Sequence, residues 1–230
     1  MSFEAQEWAA LALSLKVSVV ATLAVLPVAI AVAWVLARRD FAGKAVVNAL
    51  VHMPLVLPPV VTGYLLLLSF GRKGFIGQAL DQWVGIVFAF RWTGAALAAA
   101  IMGFPLMVRA IRLSFEAVDP RLEEAAATLG ASQVRVFLLI SLPLVAPGIL
   151  AGMVLGFAKA LGEFGATITF VANIPGQTQT LPSAIYAFLQ VPGGEASAMR
   201  LVLLSIAVAF GAVLISDWLG QRVARRVAGR

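Results

Sequence analysis

PRLEEAAATLGASQVRVFLLISLPL, residues 120–144, interrupts a chain that is otherwise a succession of apolar runs. Asp119 before Pro120 makes a helix start, because the carboxylate accepts a bond from a free amide of the first turn and proline lacks the donor that would be orphaned there. Leu122, Ala125, Ala126 and Leu129 then fall at i, i+3, i+4 and i+7 and form one apolar stripe, with Glu123, Glu124 and Thr128 facing elsewhere. Gly130 supplies the left-handed conformation that ends the helix. Ser132 is placed to cap a second helix, and Arg135 anchors that helix at a membrane surface. At about three turns the first helix is too short to cross a bilayer. It is either a solvated helix that closes the chain between two spans or a knob that docks into a partner protein; residue physics alone leaves both open.

The surroundings decide the setting. The 230 residues are 61% hydrophobic and 12% charged, with a mean hydropathy of +0.97, well above the roughly 45–50% apolar content of soluble domains. Five apolar segments span about residues 9–37, 46–70, 92–111, 137–163 and 200–220. Each is long enough for a membrane helix of about 20 residues. A backbone in lipid must satisfy its own hydrogen bonds, so the fold class is all-α: a polytopic bundle of about five transmembrane helices plus a short cytoplasmic helix. Nothing between the spans is long enough for a soluble domain, and residues 1–230 form a single transmembrane domain. The first run follows Glu4 and Glu7 rather than a basic region and is too long for a signal peptide, so it is expected to be a permanent span.

Charge fixes an orientation. If five spans alternate, eleven basic residues fall on one side: Arg38, Arg39 and Lys44, then Arg109, Arg112, Arg121 and Arg135, then Arg222, Arg225, Arg226 and Arg230. Only Arg72, Lys73, Arg91 and Arg200 fall on the other, so the N-terminus is expected outside and the C-terminus in the cytoplasm. The net charge of +6 is spread over short loops and forms no clustered face, which argues against nucleic acid. The stretch from Phe164 to Met199 then lies outside and reads as an irregular loop carrying one short interfacial piece, Ile185–Leu189.

Few residues carry chemistry. There is no cysteine and one histidine, His52, with no acidic neighbour in sequence, so neither a metal site nor a catalytic cluster is expected. No phosphate-binding GxxxxGK[ST] occurs: GRKGFIG, residues 71–77, lacks the Lys-Ser/Thr pair. Lys16 is expected to snorkel from the first span. Lys159 and Glu163 stand four apart within the fourth span, where a lone charge would cost several kcal/mol. They are either a structural ion pair or a device that presents a cation to an anion pathway. Thr167 offers a hydroxyl nearby, although such hydroxyls usually bond their own helix carbonyls. Gly148, Gly152 and Gly156 recur every fourth residue, as do Ala95, Ala99 and Gly103, stripes that let helix backbones approach within one chain or across a dimer seam. Pro54, Pro58 and Pro59 make the second span the densest site for kinks.

The set Glu124, Ala125, Ala126, Gly130, Ile140, Leu142 and Pro143 resembles the cytoplasmic signature of permease subunits of binding-protein-dependent ABC importers. Longer stretches, among them LARRDFAGKAVVNALVHMPLVLPPVVTGY, FPLMVRAIRLSFEAVDPRLEEAAATLGAS and LGEFGATITFVANIPGQTQTLPSAIY, are similar to the molybdate-type permeases, with tungstate and sulfate permeases sharing the architecture. The resemblance implies that Leu122, Glu124, Ala125, Ala126, Leu129 and Gly130 belong to a coupling helix seated in a groove of an ATPase subunit. It implies further a bacterial inner-membrane assembly of two copies of this chain, two ATP-binding subunits that hold ATP and Mg, and an external solute-binding protein that delivers an oxyanion, all embedded in membrane lipid. A sixth span that some relatives carry ahead of the first is expected to be missing. Transport by alternating access follows, with no enzymatic step on this chain. The rival classes, an ion-coupled carrier and a membrane enzyme, lack the internal repeat and the catalytic cluster they need.

Overall fold

The computed structural model describes residues 4–227, without the side chains of residues 216, 217, 219, 221 and 223–227. The charges expected at Arg225 and Arg226 therefore belong to side chains that are not described, and Arg230 lies outside the described residues. All regular structure among the described residues is helical.

Among the described residues four helices are long and apolar enough to cross a membrane, or five spans if the bent pair described below counts as one. The first, α1 (Ala5–Arg38), is longer than the apolar run because a capping box closes its start: the Glu4 side chain accepts from the third-turn-position amide, and Glu7 answers on the Glu4 backbone amide at 3.1 Å. The central helix is α5 (Trp92–Ala117), packed against α1 on one side and α8 (Leu142–Leu161) on the other. Small residues allow this. A side chain added at Gly103 would meet the carbonyl oxygen of Gly156 at 3.1 Å, so the two glycine-bearing stripes of α5 and α8 face each other within one chain. The last helix, α11 (Glu195–Val227), packs on α8 and α10 (Leu181–Leu189).

The core divides along the helix axes. Toward the chain's start Val17 and Ala21 pack with Ala95, Ala99, Met102 and Phe170. Toward the far end Ala33 and Leu36 pack with Val108, Ile111, Phe115 and Val145. Glu7 is fully buried and accepts hydrogen bonds from Arg200 Nε and Nη2 at 3.0 and 2.6 Å, tying the starts of α1 and α11 together at one end of the bundle.

The second apolar segment departs from expectation. It is two helices, α2 (Lys44–Val56) and α3 (Pro59–Phe70), bent by 112° at Leu57 and Pro58. Consecutive prolines explain the break: each removes an amide donor, and the residue before a proline is driven out of the helical region. Leu57 and Pro58 accordingly hold extended backbone angles. The stretch from Phe164 to Met199 is also more ordered than a loop. It folds as α9 (Gly165–Val171), against α3, and α10, whose Leu181 and Ala184 are buried against α1 and α11. Another short helix, α4 (Phe75–Val84), follows α3. Lys16, expected to snorkel, instead places its ammonium 3.7 Å from the centroid of the Trp92 ring, a cation–π contact.

Candidate coupling segment and pathway residues

The segment between α5 and α8 folds as a helix, a turn and a second helix. Asp119 Oδ1 accepts from the Arg121 amide at 3.0 Å and opens α6 (Pro120–Thr128). Gly130, at φ +86°, ends it in the left-handed region, where its amide donates to Ala127 O and the Ala131 amide to Ala126 O. The second helix, α7 (Gln133–Val136), starts at Ser132, but the Ser132 hydroxyl makes no capping bond; only its backbone carbonyl engages, accepting from Val136.

From Phe137 to Ser141 the chain widens into a π-helical turn that leads into α8 without a break in direction. Pro143 supplies the reason. Its ring excludes the carbonyl one helical turn back and it has no amide to donate, and a wider turn relieves both. Phe137 in this turn lies 5.8 Å from Trp34 of α1 and 6.3 Å from Phe115 of α5, centroid to centroid, so the π turn is wedged among three long helices.

The apolar stripe of α6 does not face the chain's own core as one surface. Ala126 is buried, while Leu122, Ala125 and Leu129 are exposed, Leu129 at 89%. What turns inward is Glu123. Its Oε1 accepts from Arg38 Nε and Nη2 at 3.2 and 3.1 Å and from Ser141 Oγ at 2.8 Å, and Arg38 Nη2 also donates to Val118 O. Glu124 stays exposed as well. A cavity of about 430 Å³ opens behind α6 between Trp34, Arg38, Glu123, Gln133 and Phe137.

Glu123, Arg38 and Ser141 were not singled out by sequence. Arg38 and Glu123 are 85 residues apart, and the only hint was their opposite charge at segment ends that the charge count put on one side of the membrane.

The second group sits at the far end of α8. Lys159 Nζ donates to Glu163 Oε2 at 2.7 Å, and Glu163 Oε1 accepts the Ala166 amide at 3.0 Å, so one carboxylate neutralises a lysine and caps the start of α9. Glu163 is buried, whereas the Lys159 side chain keeps 28% exposure. Thr167 is buried and its hydroxyl donates to the Glu163 and Phe164 carbonyls, at 3.3 and 2.9 Å, the local bonding common for threonine in helices. The three are thus brought together, with Lys159 the one that keeps an open face. His52 is half-buried, with Nδ1 2.8 Å from Asn48 O.

Comparison with known proteins agrees with this layout. A model of the binding-protein-dependent transport system inner membrane component matches residues 17–229. The molybdenum transport system permease protein ModB of Escherichia coli K12 is 61% identical over 224 residues, 97% of each chain. The sulfate transport system permease protein CysT of Salmonella typhimurium is 36% identical over 194 residues, 83% of this chain and 70% of that one. The fold matches, at a TM-score of 0.74 and 18% identity, a chain of a bacterial alginate ABC transporter solved in complex with an alginate pentasaccharide-bound periplasmic protein, over 96% of this chain and 80% of that one. With its multi-pass helical bundle and helix–turn–helix between α5 and α8, the chain belongs to the family of binding-protein-dependent transport system inner membrane components.

Proposed function

We propose that the chain is the permease subunit of an ATP-driven importer for an oxyanion, molybdate, and that it works by alternating access. The relative named for molybdenum transport is far more similar to it, over nearly its full length, than the one named for sulfate. ATP and its Mg are held and hydrolysed on a separate ATP-binding subunit. Two copies of the chain flank the pathway about a two-fold axis, in keeping with the preference of oligomers for closed symmetry, and an external solute-binding protein delivers the anion.

The observation that carries the reading is the outward side of α6: Leu122, Glu124, Ala125 and Leu129 are exposed, on a helix braced from behind by Glu123. Apolar side chains held out in solvent by a rigid mount suit a surface that a partner covers. We assign Leu122, Glu124, Ala125, Ala126, Leu129 and Gly130 to the coupling site on this ground. Lys159, held by Glu163 beside Thr167, is assigned to the edge of the pathway, where its exposed side chain lowers the barrier for an anion. The orientation, N-terminus outside and C-terminus cytoplasmic, is supported by the positive charge bias and by the pairs Glu7–Arg200 and Arg38–Glu123, which gather the starts of α1 and α11 at one end and the coupling segment at the other.

The test is uptake into liposomes that hold this chain with its ATPase subunit, binding protein outside and ATP inside. Labelled molybdate is expected to accumulate only with ATP and in preference to sulfate and tungstate; equal uptake without ATP would refute the motor, and a preference for sulfate or tungstate would reassign the anion.

A further inference from the structure

The part of α5 nearer the coupling helix carries two arginines that the import reading has not used. Arg109, Arg112, Leu113 and Glu116 recur at i, i+3, i+4 and i+7 and share one face. The opposite face, with Val108, Ile111 and Phe115, is sealed in the core. Asn48 and His52 of α2 stand across from the arginine face, and the two helices enclose a groove of about 350 Å³. Arg112 gives Nε to Glu116 at 2.7 Å and Nη1 to Asn48 Oδ1 at 3.0 Å, and Nη2 takes no part in either bond. Arg109 lines the same groove, without a hydrogen bond or ion pair to any described residue.

The charge in the groove does not close. Two guanidinium groups face one carboxylate, and His52, whose Nδ1 is engaged by the Asn48 carbonyl, adds an Nε2 donor only when protonated. Arg109 stands eight residues before the end of α5 at Ala117, a depth of about 12 Å along the helix. A guanidinium at that place in a spanning helix needs a counter-charge or water, and its planar fork suits two oxygens of one tetrahedral anion.

We propose that the groove between α2 and α5 binds a tetrahedral oxyanion, with Arg109 as its principal ligand and Arg112 as the second. The site rests on the import reading for one of its two possible occupants, the transported anion on its way to the cytoplasm. The other is the phosphate of an anionic lipid from the inner leaflet, which offers the same oxygens. Arg112 stays partly neutralised by Glu116, which keeps the site weak enough to release what it holds.

The assay reads binding and not uptake, so it stands apart from the import test. The permease–ATPase complex, without nucleotide, is placed in nanodiscs of phosphatidylcholine or of phosphatidylcholine with phosphatidylglycerol, and labelled molybdate binding is measured with native mass spectrometry of retained lipid. The wild type is expected to bind molybdate in the neutral discs, and Arg109→Gln to weaken it about tenfold or more, the scale of losing a charge-assisted fork. Molybdate binding that phosphatidylglycerol leaves unchanged assigns the transported anion. Retention of phosphatidylglycerol by wild type but not by Arg109→Gln, with no molybdate bound, assigns the headgroup. Arg109→Lys keeps the charge without the fork and is expected to fall between, which provides the comparison if the glutamine variant fails to assemble. Variants at Arg109 that assemble and match wild type in both molybdate affinity and retained lipid would overturn the proposal.

Discussion

Glu123 and Arg38 meet at 3.1 Å although 85 residues of chain separate them, and the same carboxylate oxygen takes the Ser141 hydroxyl. One acidic side chain thereby fastens α6 to the end of α1 and to the π turn that opens α8. Movement of α6 cannot leave those two helices behind while the bonds hold. Under the proposed coupling role, a partner pulling on Leu122 and Leu129 would reach the membrane-spanning body through this link.

Glu123→Ala is therefore expected to uncouple. The half-buried Arg38 loses a charge-assisted partner, at a cost of about 1–3 kcal/mol, yet retains Val118 O, so the bundle persists. ATP hydrolysis by the assembled complex should continue while anion imported per ATP falls about tenfold or more, a change of roughly 1.4 kcal/mol in coupling. Glu123→Asp should restore part of the ratio. Parallel losses of hydrolysis and import, with an unchanged ratio, would show that Glu123 only supports the fold.

The Lys159–Glu163 pair allows structure and transport to be separated. Lys159→Ala leaves a buried carboxylate unpaired, at about 3–5 kcal/mol. The double change Lys159→Met with Glu163→Gln removes both charges and should recover most of that stability. Import should stay depressed in the double variant if the ammonium serves the anion. Wild-type import there would reduce the pair to a structural bridge.

At the end of the bundle where α1 and α11 begin, Glu7→Ala leaves Arg200 without its buried partner and is expected to destabilise the bundle by about 3 kcal/mol, read as a lowered unfolding midpoint in detergent. Glu7→Gln keeps an acceptor and should lose less. Equal midpoints for wild type and Glu7→Ala would mean that the ion pair contributes nothing to holding α1 on α11.

Gly103→Val tests the close crossing of α5 and α8. Its Cβ would stand 3.1 Å from a backbone oxygen of Gly156, which cannot move without shifting α8. A loss of about 1–3 kcal/mol is expected. Gly156→Ala would bring its Cβ to 2.5 and 2.6 Å from Sδ and Cγ of the fully buried Met107, so a loss of similar size is expected there; wild-type thermal unfolding of both variants would place the tight contact elsewhere.

These features differed in how visible they were in the sequence. The long spans were legible because apolar runs of about 20 residues have one reading in lipid, and α6 because Asp119, Pro120 and Gly130 mark its ends. The prolines at 58 and 59 signalled a kink, but not a bend of 112°, which depends on where α3 packs against α9. Short helices such as α9 and α10, flanked by glycine and proline, carry too few turns for a periodic signal and read as loop. The inward turn of Glu123 was hidden because an acidic residue beside an apolar stripe reads as solvated until Arg38 and Ser141 are seen beneath it. Arg109 fell inside the expected third segment, 92–111, and was counted only toward the charge bias; its depth of eight residues from the helix end shows because α5 continues to Ala117.

The chain contains no cysteine, so Leu129→Cys provides a unique handle at the end of α6, on a side chain that is 89% exposed. Treated in native membranes with a short thiol crosslinker, it is expected to capture the ATP-binding subunit, with a yield that changes when nucleotide is added. A handle that reaches no nucleotide-hydrolysing protein, in membranes where import is active, would contradict the coupling role on which the account depends.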